Sequence, residues 1–366
     1  MIPYGRQWVD ASDIQAVIKV LKSNWLTQGP DIKKFEEALV SYHGFKYAVV
    51  LSSGTAALHL AYLAAGLKKG DEVITTPNTF AATANMLLVV GAKPVFCDIR
   101  LDSYNIDESK IEILITKKTR AIVPVDFAGH SCEMHKIVRI AKKYGLKIIE
   151  DACHGLGGSY HNKKIGSLAD LAVLSFHPVK SITTGEGGAV LTNNQRHYQK
   201  LISLRSHGIH KDGSGKNVMT ALGYNYRLTD IQAALGLSQL KKLAVWIKKR
   251  QQIVQWYQSE LRGVKEIILP SQLPNNYSAW HIYVIRAVQP KVRDKLMVYL
   301  KKRGVGVNFH YPAVYSHPYY KKICYGKLKL KNMELYHNSC LTLPCYPRLS
   351  LKEVRYIGKL IKIFFA

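Results

Sequence analysis

The chain has 366 residues, of which 47% are hydrophobic and 10% aromatic, and its 52 Lys and Arg against 25 Asp and Glu give a formal net charge of +27. So much apolar material excludes a disordered chain, and no apolar run is long enough to span a bilayer. The opening Met1-Ile2-Pro3-Tyr4-Gly5-Arg6 has no apolar stretch behind it, so the expected location is the cytoplasm.

Six cysteines, Cys97, Cys132, Cys153, Cys324, Cys340 and Cys345, are irregularly spaced and include no Cys-x-x-Cys pair. Free thiols are expected, with no structural metal. The positive charge suits a nucleic-acid partner in principle. The lysines, however, are scattered over many expected helices, as in Lys248-Lys249-Arg250 and Lys301-Lys302-Arg303, with no DNA- or RNA-binding pattern beside them. A lysine-rich solvated surface is the plainer reading, and its positive potential attracts phosphorylated ligands.

From about residue 45 to 195, short apolar runs alternate with helical stretches. The expected strands are 47–51, 72–76, 94–98, 121–125 and 146–150, followed by Leu171-Ala172-Val173-Leu174 and Ala189-Val190-Leu191-Thr192. Runs apolar on both faces, alternating with helices, indicate a mainly parallel sheet covered on both sides. Such sheets bind ligands beyond the carboxyl ends of their strands. A helix opens at Leu228-Thr229-Asp230-Ile231 with Thr229 as N-cap, and a second spans about 244 to 262. Gly263, Pro270 and Pro274 mark a change of regime. Beyond them come a strand at 281–287, a helix near 290–303, a strand at Val305–Phe309 and a closing helix near 350–364. The expected division is a large α/β domain, 1–245, and a smaller α+β domain, 246–366.

Three strand ends carry the chemistry. Ser52-Ser53-Gly54-Thr55 follows a strand and opens a helix, where small residues and free first-turn amides suit a phosphate; the same residues also cap helices without any ligand. Glu150-Asp151-Ala152-Cys153-His154 ends another strand, and Asp151 alone reads as a helix cap. Lys180 lies in Ser175-Phe176-His177-Pro178-Val179-Lys180, on a short loop between two core strands. An ammonium there is costly unless something anionic or covalent meets it. A phosphate cradle, an acid to keep a pyridine nitrogen protonated and a lysine to condense with an aldehyde together describe pyridoxal phosphate. Phe80 is placed either to stack on the ring or to fill the core, and Ser175 either to donate to the phosphate or to cap its own backbone.

The chain resembles the nucleotide-sugar aminotransferases of the DegT/DnrJ type almost from end to end. The likeness runs through Ser53-Gly54-Thr55-Ala56-Ala57-Leu58, Glu150-Asp151-Ala152, Ser175 to Gly188, Arg205-Ser206-His207-Gly208, Gly223-Tyr224-Asn225-Tyr226-Arg227-Leu228, and His310-Tyr311 with Leu343-Pro344. It implies the fold-type I pyridoxal phosphate architecture, with Lys180 as covalent anchor and proton carrier. Asp151 would pair with the pyridine nitrogen. Gly54, Thr55 and Ser175 would hold the phosphate, Phe80 would stack on the ring, and Asn225 would reach the cofactor of a second subunit, making a homodimer. Many members carry Gln where this chain has His154, whose imidazole would donate to the cofactor's phenolate oxygen. Leu26-Thr27-Gln28-Gly29, Val125-Asp126-Phe127-Ala128-Gly129 and His310-Tyr311-Pro312 liken the chain to members acting on a UDP-linked 4-keto-6-deoxy-N-acetylhexosamine with L-glutamate as donor. Thr27, His310 and Tyr311 are then candidate substrate contacts, although His310 and Tyr311 also suit a domain junction and Thr27 a turn. A dehydratase using the same cofactor is the rival; relatives of that kind can replace the lysine by histidine, and this chain keeps Lys180.

Overall fold

The computed structural model describes residues 1–366 apart from the side chain of Cys324, so the thiol expected there lies outside the described residues. Its centre is a seven-stranded sheet of β1 (Tyr47–Leu51), β2 (Glu72–Thr75), β3 (Lys93–Phe96), β4 (Thr119–Val123), β5 (Lys147–Asp151), β8 (Leu171–Ser175) and β9 (Gly188–Thr192), with β6 (Ser159–Tyr160) and β7 (Lys163–Lys164) forming a small hairpin aside. The order is β1-β9-β8-β5-β4-β2-β3. Strand β9 is antiparallel to both its neighbours, and the pairs from β8 outward to β3 are parallel. The sheet is therefore mainly parallel, as its doubly apolar strands require.

The single reversed strand positions the site. Because β9 turns back beside β8, the loop between them, residues 176–187, sits over the carboxyl edge of the sheet instead of crossing a face. The carboxyl ends of β1 and β5 lie on the same edge. Register puts Ser175 opposite Gly188, Gly188 opposite Leu51, and Asp151 opposite Val173.

Helices cover both faces: α1 (Ala11–Leu21), α2 (Pro30–His43), α3 (Gly54–Ala64), α4 (Ala82–Val89), α5 (Met134–Tyr144), α6 (Gln195–Arg205) and α7 (Asp230–Leu240). Helix α3 is buried along most of its length, packing Ala57, Leu60 and Ala61 against Val49, Val173 and Val190 of the sheet. Opposite, Phe35 and Leu39 of α2 and Ala233 of α7 pack on Val50, Leu174 and Leu191. As expected, Thr229 caps α7, in a reciprocal box with Gln232. A hairpin of β10 (Ile209–Lys211) and β11 (Asn217–Met219) projects with little burial.

Helix α8 (Leu243–Glu260) leads to a second layer built on β12 (Ile267–Ile268), β14 (Tyr283–Ala287) and β15 (Cys340–Leu343), while β13 (Asn276–Tyr277) joins the β6–β7 hairpin. Helices α9 (Val292–Lys302), α10 (Pro318–Tyr320), α11 (Lys331–Ser339) and α12 (Leu351–Phe365) complete it. Leu296, Leu300, Val354, Ile357 and Ile361 close a core on Tyr283 and Ile285. Arg250 of α8 is fully buried, and its Nη1 donates to the carbonyls of Trp280 (3.1 Å), His281 (2.9 Å) and Cys345 (2.7 Å).

The expected strand at Val305–Phe309 does not form. Two isolated bridges replace it, Ile2 with Val305 and Asn308 with Thr342. Gly304 and Gly306 flank the first, and the chain then bends from β15 toward the carboxyl edge of the main sheet. No helix among the described residues is long and apolar enough to cross a membrane.

Candidate active site

A cavity of about 650 Å³ opens over the carboxyl edge of the main sheet, between it and the second layer. Gly54, Thr55, Phe80, Asp151, His154, Ser175, Lys180, His310 and Tyr311 all line it. Thr27 and Asn225 do not: Thr27 bridges Thr229, and Asn225 bridges Ser206, the latter outside this chain's own cavity.

The turn from β1 into α3 is pressed against the strands beside it. Ser53 is the N-cap, its hydroxyl accepting from the Ala56 amide at 3.1 Å, so the preceding first-turn amides face the cavity without helical partners. A Cβ on Gly54 would stand 2.9 Å from Cβ of Ser175 and 3.0 Å from its Oγ. A Cβ on Gly188 would stand 2.5 Å from the Ser53 carbonyl oxygen. Only glycine lets these three segments close into one cradle. Backbone amides at a helix N-terminus, with the Thr55 and Ser175 hydroxyls beside them, fit a phosphate dianion.

Asp151 ends β5 and is only 4% exposed. Its Oδ2 accepts from the Thr83 hydroxyl at 2.7 Å and its Oδ1 from the Cys153 amide at 3.2 Å. Thr83 is held in turn by Thr79, 2.7 Å away. The carboxylate is fixed by donors on both oxygens, with lone pairs left for a further donor in the cavity.

Lys180 reaches the cavity from a loop tied to itself. Phe176 N–H donates to Gly187 O (2.8 Å), Lys180 N–H to His177 O (2.9 Å) and Thr184 N–H to Phe176 O (3.0 Å). The Thr183 amide is held from below by Gln239 of α7. Burial pushes the Lys180 ammonium below its ordinary pKa, and the neighbouring Cys153 and Asp151 oppose this in part. A lowered pKa makes the neutral amine easier to reach, as a nucleophile and proton carrier needs.

The opposite wall holds His154, His281, His310 and Tyr311. Ala128 N–H donates to Nδ1 of His154 at 3.3 Å, and Nε2 stands 3.1 Å from the Tyr311 hydroxyl. An amide can only donate, so Nδ1 is the acceptor and the neutral ring carries its proton on Nε2, toward Tyr311. His281 packs on His154 with ring centroids 4.3 Å apart. His310 Nδ1 lies 2.8 Å from the Thr342 hydroxyl, and the Tyr336 hydroxyl donates to its carbonyl. Burial, with nearby cationic groups, depresses all three imidazoles: His154 and His281 well below the ordinary value and His310 to about 3. Phe80 is 62% exposed at the rim, with its ring 6.2 Å from that of Tyr311, so it is not a core residue.

Sequence reading missed Thr83, Tyr4 and His281. Thr83 follows Phe80 by one helical turn, a spacing that carries no chemical signal by itself. Tyr4 arrives because Ile2 pairs with Val305 and the Tyr4 carbonyl accepts from the Cys345 amide at 3.1 Å. Among the described residues, no group of three or more His, Cys, Asp or Glu could hold a metal ion.

A lysine, a fixed carboxylate and an anion cradle on one edge of a parallel sheet define an aminotransferase-type cofactor site. The chain belongs to the DegT/DnrJ/EryC1/StrS aminotransferase family, matched over residues 7–362. It is 44% identical, over 98% of its length and 96% of the relative's, to a UDP-4-amino-4,6-dideoxy-N-acetyl-beta-L-altrosamine transaminase of Campylobacter jejuni. Among solved structures it is similar to Helicobacter pylori PseC, an aminotransferase involved in the biosynthesis of pseudoaminic acid, with a TM-score of 0.96 and 38% identity over 100% and 99% of the two chains. The PLP-form of the putative sugar aminotransferase Spr1654 of Streptococcus pneumoniae matches with a TM-score of 0.95 and 30% identity over 100% and 98%.

Proposed function

We propose that this chain is a pyridoxal phosphate-dependent transaminase that moves the amino group of L-glutamate to C4 of a UDP-linked 4-keto-6-deoxy-N-acetylhexosamine. The product is UDP-4-amino-4,6-dideoxy-N-acetyl-altrosamine, an intermediate toward pseudaminic acid. The observation that carries the reaction class is Lys180 facing Asp151 across a cavity that also holds the Gly54-Thr55-Ser175 cradle. The names of relatives similar over nearly the whole chain support the substrate.

When bound, the cofactor supplies an aldehyde that condenses with amines and a ring that takes up the electron pair freed when a C–H bond breaks. The protein's own residues do the rest. The first-turn amides of α3, with Thr55 and Ser175, hold the phosphate. Asp151, kept in place by Thr83 and the Cys153 amide, would accept a hydrogen bond from the N–H of the pyridine ring. Phe80, at the rim, would cover the ring. Lys180 would anchor the cofactor and, once freed by the amino donor, would take up and return a proton at Nζ; its lowered pKa suits both tasks. The second half-reaction reverses these transfers with the keto sugar. His154, whose Nε2–H is directed to the Tyr311 hydroxyl, would with that hydroxyl supply a neutral donor for the cofactor's phenolic oxygen, and His310 and Tyr311 would meet the sugar.

The unit is a homodimer, supported by the exposed Trp25, Leu26, Met219 and Leu222 and by Asn225 standing outside its own chain's cavity. Asn225 then completes the partner's phosphate site. The decisive experiment incubates the purified enzyme with glutamate and candidate UDP- and dTDP-linked 4-keto sugars and identifies the product by NMR. Turnover confined to dTDP sugars removes the substrate assignment. Unchanged cofactor absorbance on adding glutamate removes the transaminase reading itself.

A further inference from the structure

Strand β5 sends Asp151 toward the cavity and, by alternation, Glu150 to the other side. There Glu150 meets Asp126, which sits just past the end of β4. Both are essentially unexposed, Asp126 at 0% and Glu150 at 1%. The bridge between Val125 and Asp151 and the Asp126 N–H bond to Asp151 O (3.1 Å) set the two residues side by side, and each carboxyl acts on the ionisation of the other. Oδ1 of Asp126 accepts from the Cys132 amide at 3.0 Å, and Oε1 of Glu150 from the Gly166 amide at 2.9 Å. The remaining oxygens, Oδ2 and Oε2, have no donor among the described residues. No lysine, arginine or histidine forms an ion pair with either carboxyl among those residues.

Ionised carboxylates only accept hydrogen bonds. Two of them side by side, both buried, would repel strongly and leave two desolvated charges uncompensated. The other groups facing the pair do not relieve this. The Asp151 carboxylate adds repulsion, and the Cys132 thiol is turned away to donate to Val125 O at 3.2 Å. A single proton resolves the conflict by placing one O–H···O bond between the two carboxyls, with one charge shared by the pair.

We infer that Asp126 and Glu150 share one proton, and that this proton latches the loop 125–132 to the end of β5, making the two acids positioning residues for the site. The loop is a hub. Its Asp126 N–H donates to Asp151 O (3.1 Å), its Ala128 N–H to His154 Nδ1 (3.3 Å), and Ala128 O accepts from the His281 amide (2.9 Å). Losing the proton would push Asp126 away from Glu150 and carry the Ala128 amide away from His154. Burial raises the pKa of both acids, and the Glu150 carboxylate raises that of Asp126 further, consistent with a proton retained near neutral pH.

The sign follows. A folded-state pKa raised above the unfolded one means that the proton's stabilisation is complete below the ordinary carboxylate range and is lost as pH rises through the pair's folded value. In between, unfolding releases one proton, so the pair lowers the folding constant about tenfold per pH unit. Glu150→Gln keeps the geometry: its amide N–H donates to Asp126, its oxygen still accepts from Gly166, and it has no proton to lose.

Three measurements test this on the full chain. Infrared spectra of the wild type near neutral pH are expected to contain a protonated-carboxyl carbonyl band that disappears in both Glu150→Gln and Asp126→Asn. Urea unfolding across pH is expected to give one more proton released by the wild type than by Glu150→Gln. A missing band, a band unchanged in both variants, or equal proton release overturns the shared proton, and the infrared titration of the wild type decides the matter even if a variant does not fold. For the positioning role, Glu150→Ala is expected to weaken retention of pyridoxal phosphate about tenfold, with Glu150→Gln restoring it. Equal retention in Glu150→Ala overturns that role. This last arm rests on the proposed cofactor reading, and a wild type that binds no pyridoxal phosphate would sink that reading while leaving the proton count intact.

Discussion

Gly54, Asp151, Ser175 and Lys180 enter the cavity from the carboxyl ends of three strands of one sheet, whereas Tyr4, His281, His310 and Tyr311 enter it from irregular chain hung on β15 and the second layer. The first wall is organised by backbone. Its positions follow from strand register, a helix N-terminus and a self-bonded loop, and its charges are met by fixed donors. The second wall is organised by side chains: the imidazoles of His281 and His310, with His154 from just past β5 packed against the former, are held neutral by burial, and burial pushes the Tyr311 phenol well up. An uncharged, hydrogen-bonding surface suits hydroxyl-rich ligands, and a rigid charged one suits a phosphorylated cofactor. On the proposed reading, reaction chemistry falls to the first wall and ligand choice to the second, and substitutions should separate them.

The sharpest break falls on the first wall. Lys180→Ala is expected to lower kcat about 10⁴-fold, the upper range for losing a proton carrier, while the folded protein still takes up pyridoxal phosphate. Single-turnover assays read this, and near-normal turnover would remove Lys180 from the mechanism. Asp151→Asn should cost about 10²–10³-fold in kcat through loss of a preorganised charge, with little change in KM for the sugar. A change confined to KM would move Asp151 to ligand binding and blur the two walls.

Acid tests the second wall. The depressed pKa values of His154, His281 and His310 favour their neutral forms in the fold, so their contribution to stability is complete above the ordinary histidine value of ~6.5 and falls as pH drops toward the folded values. Each such histidine adds about 1.4 kcal/mol per pH unit to that loss. Urea titrations at stepped pH should steepen below that point, and His310→Asn should flatten the slope by one proton. An unchanged slope in the variant would mean that His310 is already charged in the folded protein. A smaller effect is expected for Thr83→Val, which takes a donor from the Asp151 carboxylate and should cost about 1.5–3 kcal/mol of stability by denaturant unfolding. Smallest is Tyr311→Phe, about 0.5–1.5 kcal/mol, appearing as a raised KM for the sugar with kcat nearly kept. An equal fall in kcat would place the Tyr311 hydroxyl in the chemistry.

The same contrast explains what could be read before any coordinates. The strands of the main sheet are doubly apolar runs punctuated by turn residues, and the motifs at their ends sit where such sheets bind ligands, so Gly54, Asp151, Ser175 and Lys180 were legible as a group. The second wall obeys no period. Gly304 and Gly306 break the strand expected at Val305–Phe309, and His281 lies just before β14 where the alternation gives no hint of its contact with His154. Tyr4 depends on a bridge between residues 2 and 305, and Thr83 on a hydroxyl meeting an acid 68 positions away. Thr27 and Asn225 show the opposite limit: their motifs are local and clear, but neither lines this chain's cavity.

Arg250 adds a statement about time. Its guanidinium belongs to α8, but the carbonyls that receive it come 30, 31 and 95 residues later. A chain leaving the ribosome can finish all seven strands of the main sheet while that cation still waits in water for Cys345. Desolvating it earlier would strand a bare charge. The second layer, and with it His281 and His310, cannot close fully around that cation until the chain has reached Cys345, so a nascent chain stalled short of it would lack the last carbonyl that receives Arg250.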